Sequence, residues 1–282
     1  MYKEVIRTGI IGAVLAIAAT GCGSKDSGAQ SLLDQAQAAF DNGNYKESLV
    51  LIDSLAKAFP EEISIQRAAM HLRPMADEQL TMLEIEHNDS AMAAAKSEVE
   101  RLKGNFVFVK EKDMVEGYTI HKEAKKHPLI NRTGLEARID ERYNLYVVSL
   151  LNGRSVNHER ITISGAGGEV STATVAYDGA SNYRFNSGGV SNESVTFRGG
   201  KSDTLCMYVA EHKGNALKLN FIGKSRYSVP LSATDKKAVA ETQEYAVALQ
   251  NNREAELRNA YLENRLKISR EHIEKTAQKA QQ

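Results

Sequence analysis

Between Leu231 and Gln282 the chain carries neither glycine nor proline, the two residues that most readily end a helix. A continuous helix of about 45 residues there would reach roughly 70 Å at 1.5 Å per residue. Ser232 supplies an N-cap, and Asp235 places an acid in the first turn. Val239, Ala246, Leu249, Leu257, Ala260, Asn264 and Ile268 form a broken apolar stripe, flanked by Arg253, Glu254, Arg258 and Glu263. Such a stripe needs a partner. Residues 75–103 also lack glycine and proline, and Leu80, Leu83, His87, Ala91, Ala94 and Leu102 fall near helical spacing, with polar gaps at Asn88-Asp89-Ser90. His87 on that stripe reads as a half-buried packing residue. The two helices enter and leave the same intervening block, so they are expected to pair antiparallel in coiled-coil fashion.

That block, residues 104–230, has an extended texture. Leu217-Lys218-Leu219-Asn220-Phe221 alternates apolar with polar, as a strand with one buried face does. Similar runs lie at 106–109, 146–150, 161–163, 173–177, 183–185, 195–197 and 205–209, with turn residues such as Asn152-Gly153, Asp178-Gly179 and Gly199-Gly200 between them. Roughly eight to eleven short strands with such turns argue an antiparallel sandwich or barrel-like sheet that helices flank and none interrupts. Cys206 falls in one of these runs and is expected to be buried and inert. The fold class is therefore α+β.

Residues 32–103 read as helical. Ala36, Gly43-Asn44-Tyr45, Ser48, Ile52, Leu55 and Pro60 resemble one tetratricopeptide-type hairpin, with Gly43-Asn44 as the turn and Pro60 as the stop. Pro74, lacking a backbone donor, is expected to end or kink the helix after Arg73.

The first residues set an address. Lys3 and Arg7 precede an apolar run, Ile10 to Ala19, that is too short for a comfortable membrane span. Ala19-Thr20-Gly21-Cys22 resembles a bacterial lipobox, with Ala19 where leucine is usual. That resemblance implies a signal peptide at 1–21, lipid on Cys22 and a flexible tether over 22–31. Two or more acyl chains anchor a protein stably. The order of lipobox, helical region with His71-Leu72-Arg73-Pro74, β block, and closing 231–282 helix beginning Leu231-Ser232-Ala233-Thr234-Asp235 is similar to a group of uncharacterised exported lipoproteins of gut Gram-negative anaerobes. The resemblance implies an outer-membrane location, on the cell surface or the periplasmic face, and no activity.

Chemistry-bearing motifs are sparse. HExxH, paired CxxC, GxxxxGK[ST] and GxSxG are missing from the sequence, and 36 basic against 36 acidic residues leave no basic excess for nucleic acid. His121 to His127, with Glu123 and three lysines, reads as a solvated charged loop and not a metal site. Gly165-Ala166-Gly167-Gly168 reads as a hairpin loop. Neither catalytic residues nor cofactor ligands are expected. The chain has no tryptophan for stacking on sugars, leaving Tyr143, Tyr146, Tyr177, Tyr183 and Tyr208 as substitutes. The expectation is a membrane-tethered, non-enzymatic module whose β domain binds a partner protein or glycan. An assembly factor acting through the helices is the alternative. A hydrolase would require a concave site gathering His121, His127 or His158 with carboxylates.

Overall fold

The computed structural model describes residues 25–112 and 114–280. The described residues form two compact units, one drawn from Met1–Leu83 and Asn264–Gln282, the other being Glu84–Glu263. Two long helices, α3 (Ile63–Lys103) and α6 (Ala233–Ala280), contribute residues to both.

In the first unit, α1 (Lys25–Asp41) and α2 (Tyr45–Ala58) form the hairpin that the sequence suggests. Gly43 takes a φ of +78°, which a side chain would resist, and Phe40 packs on Tyr45 with centroids 5.5 Å apart. Ala36, Ile52 and Leu55 join Ile65, Ala69 and Leu72 of α3 in one core. The expected tether over 22–31 is corrected in its described part. Residues 25–31 already belong to α1, because Ala29 is buried in this core and Gly28 lies against the Phe59 ring. Pro74 neither ends nor breaks α3, which runs through it.

The second unit is built on two antiparallel sheets. The first has six strands in the order β1 (Phe106–Val109), β2 (Tyr118–His121), β3 (Gly134–Asp140), β4 (Leu145–Asn152), β8 (Val190–Phe197) and β7 (Asn182–Ser187). The second has four, in the order β10 (Arg226–Pro230), β9 (Lys218–Ile222), β5 (Arg160–Gly165) and β6 (Gly168–Ser171). Hydrogen-bonded pairing does not join the sheets, but Val147, Leu151 and Phe197 of one share a core with Ile161, Leu219 and Phe221 of the other. Full burial of a side chain such as Phe221 contributes about 2 to 3 kcal/mol. Gly165 pairs with Gly168 in the expected hairpin.

Two helices interrupt the β block, contrary to the sequence reading: α4 (Lys122–Lys126) and α5 (Asp203–Glu211). Cys206 therefore lies on a helix, where Leu205, Cys206 and Val209 present one apolar side to the core. Its burial and Asp203 push the thiol pKa up, so the cysteine is inert as expected. Residues 173–177 are extended but lie outside both sheets; Val175 N–H donates to the Glu159 carbonyl at 2.7 Å.

Helix α6 packs against α3 as anticipated, and Leu102, Val239, Ala246 and Leu249 of the expected stripes are covered, but the stripes depart from the covered positions elsewhere. Within the second unit the covered positions of α3 are Ile85, Asn88, Met92, Ala95, Val99 and Leu102, whereas His87, where a half-buried residue is expected, Ala91 and Ala94 are exposed, as is Leu83 in the first unit. Leu257, Ala260, Asn264 and Ile268 of α6 are likewise exposed, while Ala255 and Leu262 are covered. The alternation of three and four residues is that of a coiled-coil seam. Polar members hid it: buried Asn88 donates Nδ2–H to the Ala255 carbonyl at 2.9 Å. In the first unit Asp77 of α3 accepts from Arg265 and from the Ser269 hydroxyl of α6. Burial would raise the Asp77 pKa, but those two hydrogen bonds and the Arg265 charge lower it.

Candidate functional site

Alternation along the six-stranded sheet sorts its side chains onto two faces. One face meets the shared core. The other carries Tyr118 and Ile120 from β2, Glu136 and Arg138 from β3, Tyr146, Val148 and Leu150 from β4, Asn192 and Ser194 from β8, and Tyr183 and Phe185 from β7, as the registers Ile120↔Arg138, Glu136↔Val148, Leu150↔Ser194 and Phe185↔Asn192 require. A cleft of about 460 Å³ opens over it, edged by Leu129, Ile130 and Asn131 from the segment after α4. This size lies in the range of small-ligand sites.

The cleft floor is charged and fixed. Arg138 Nε donates to Glu136 Oε1 at 2.9 Å, and the Arg138 guanidinium stacks 4.1 Å from the Tyr118 ring centroid. Burial works against the Arg138 charge, but Glu136 outweighs it and raises the pKa. Burial also pushes the Tyr118 and Tyr146 phenols up, with the Arg138 charge pulling back. Glu136 itself is 3% exposed, and its Oε2 accepts no hydrogen bond from the described residues. Tyr183 and Phe185 form the wall on edge strand β7. Their rings stack with centroids 5.6 Å apart and planes at 28°, and each is about 40% exposed.

A second polar cluster sits on the core face. Glu193 Oε2 accepts from His158 Nδ1 at 2.9 Å, and His158 Nε2 lies 2.9 Å from Ser149 Oγ. Glu193 also accepts from the backbone N–H groups of Asn157 and His158 and from the Ser155 hydroxyl. Burial alone would raise its pKa, yet these four hydrogen bonds hold it down at about 2. With Glu193 ionised, Nδ1 donates to its carboxylate, and the Ser149 hydroxyl beside Nε2 also lies 3.4 Å from the Val195 carbonyl, to which it can donate. The order of groups matches that of a hydrolytic triad. Ser149 and His158, however, are both 0% exposed, and neither lines any of the principal cavities. The relay ties β4, β8 and the segment before β5 together.

The remaining histidines do not gather with it. His121 is buried at the end of β2, where Nδ1 accepts from the Glu123 N–H at 3.1 Å and Nε2 lies 2.8 Å from Glu241 of α6. The expected solvated loop is therefore a strand end capping a short helix, and only its lysine side, with His127, faces solvent. Among the described residues, three or more His, Cys, Asp or Glu side chains nowhere converge as metal ligands.

Of the tyrosines that the sequence offers for sugar stacking, Tyr183 lines the cleft, Tyr146 is buried on its face beneath Arg198, and Tyr208 is buried with its hydroxyl on the Gly168 carbonyl. Sequence reasoning missed Phe185, Glu136 and Arg138. The two-residue spacings Tyr183/Phe185 and Glu136/Arg138 were the signal available. Cys22 lies outside the described residues, and no described helix is long and apolar enough to cross a membrane. No protein-family model, curated protein or solved structure matches the chain.

Proposed function

We propose that the protein is a lipid-anchored envelope module, tethered through Cys22, whose β domain binds a neutral glycan in the cleft over the six-stranded sheet. One observation carries the reading: paired, half-exposed aromatic rings stand at the edge of a cleft whose floor holds a buried carboxylate with an open acceptor oxygen. A pyranose presents C–H faces to aromatic rings and hydroxyls to carboxylates, so both parts of the cleft find partners on one ligand. The Ser194 hydroxyl adds a further hydrogen-bonding group. The reading includes no reaction.

A second reading, an assembly factor working through its helices, draws on an apolar depression in the first unit walled by Tyr45, Val50, Leu80 and Leu83. Titration of lipid-free Cys22→Ser protein against a panel of neutral oligosaccharides decides between them. Saturable binding of at least one, with Kd in the range of about 10 μM to 1 mM, is expected. A panel without a single binder would remove the glycan reading.

A further inference from the structure

We infer that a separate pocket on the second unit, between the ends of the two sheets, binds an oxyanion: a phosphate, sulfate or carboxylate group carried by a small polar molecule. The cavity measures about 570 Å³ and is lined by Arg160, Arg184 and Lys224, against the single carboxylate of Glu159. Three cations and one acid leave an excess of two positive charges.

The cations are unspent. Arg160, Arg184 and Lys224 form no side-chain hydrogen bond or ion pair with the described residues, whereas their neighbour Arg226 is bonded to Glu169 at 2.6 Å. Arg184 explains why. Its register partner across the sheet is Glu193, on the same face. Both oxygens of Glu193 are already occupied, each accepting two hydrogen bonds within the buried relay. Arg184 is left with its guanidinium 4.5 Å from the Tyr177 ring centroid and with Nε sealed from solvent without a partner. Stacking fixes the plane of that fork before any ligand arrives, which lowers the entropy cost of bidentate contact with an oxyanion.

The backbone shapes the rest. Lys224 sits in the β9–β10 turn, held by its N–H on the Val156 carbonyl at 2.8 Å. Gly223 lies so close to the carbonyls of Val156 and Asn157 that a Cβ would collide with them. Asn157, at φ +57°, and Thr174 add side-chain donors to the wall. The site is distinct from the glycan cleft, with which it shares no lining residue.

Calorimetric titration of the Cys22→Ser protein with inorganic phosphate, inorganic sulfate and glucuronate, with glucose as the neutral arm, tests the inference. In protein whose glycan cleft is disabled by Tyr183→Ala with Phe185→Ala, at least one oxyanion should saturate below roughly 10 mM and weaken on raising salt, and glucose should give no saturation. The oxyanion that binds tightest names the group. Arg184→Gln and Arg160→Gln should each weaken it about tenfold, with Arg226→Gln and Tyr183→Ala leaving it unchanged. Arg160 is exposed, so its variant keeps the test decisive if Arg184→Gln folds poorly. No saturation by any of the three oxyanions, or saturation equal in wild type and Arg160→Gln, overturns the assignment.

Discussion

Glu193→Gln is expected to destabilise the β domain by about 3 kcal/mol at neutral pH, a lowered denaturant midpoint being the readout. The carboxylate accepts four hydrogen bonds in a site that is 1% exposed. An amide presents its NH₂ to one pair of those donors, so two buried donors lose their acceptor and face another donor. The same group sets the acid limit. Its folded pKa of about 2 lies below the ordinary 4.5, so its contribution is complete above pH ~4.5 and is lost as the pH falls towards 2. That shift corresponds to about 3 kcal/mol across the window. Wild-type stability measured at pH 7 and pH 3 should therefore fall more steeply than that of Glu193→Gln. Parallel profiles would show that the relay does not hold the domain together.

Tyr183→Ala with Phe185→Ala should cost the second-largest amount, a loss of glycan affinity of about 30-fold or more with little change in stability. Both rings stand on an edge strand at about 40% exposure, so truncation opens no core cavity. Each stacked ring is worth about 1 kcal/mol to a bound ligand. Glu136→Gln should weaken binding while retaining shape, because it removes the charge that accepts sugar hydroxyls. Calorimetry on the three proteins with one oligosaccharide measures these differences. Undiminished affinity in the double aromatic variant would place the ligand elsewhere.

How far the sequence speaks depends on which physical signal an element carries. The hairpin around Gly43 and the alternation at Leu217 to Phe221 are local signals, and both elements fold as read. The helices α3 and α6 are legible as long and paired because glycine and proline are missing from 75–103 and 231–282. Their contacting faces are legible only in part, since Asn88, Thr242, Asn252 and Asn259 occupy seam positions that a hydrophobic stripe passes over. Cys206 reads as strand because Leu205 to Val209 is apolar throughout, a pattern that a short buried helix shares. The cleft depends on register. Glu136 from β3 and Phe185 from β7 meet one ligand space only because β4 and β8 pair between them. The relay likewise joins residues up to 44 positions apart, Ser149 to Glu193, through His158.

The central claim is that the sheet face is the binding face, and a hydrogen-exchange footprint tests it most directly. With a saturating oligosaccharide from the panel, slowed exchange is expected in β7, Asn182–Ser187, in β3, Gly134–Asp140, and in residues 128–131, with the α1–α2 hairpin unchanged. Protection confined to that hairpin, with β3 and β7 exchanging as in the free protein, would contradict the account and favour the helices as the working surface.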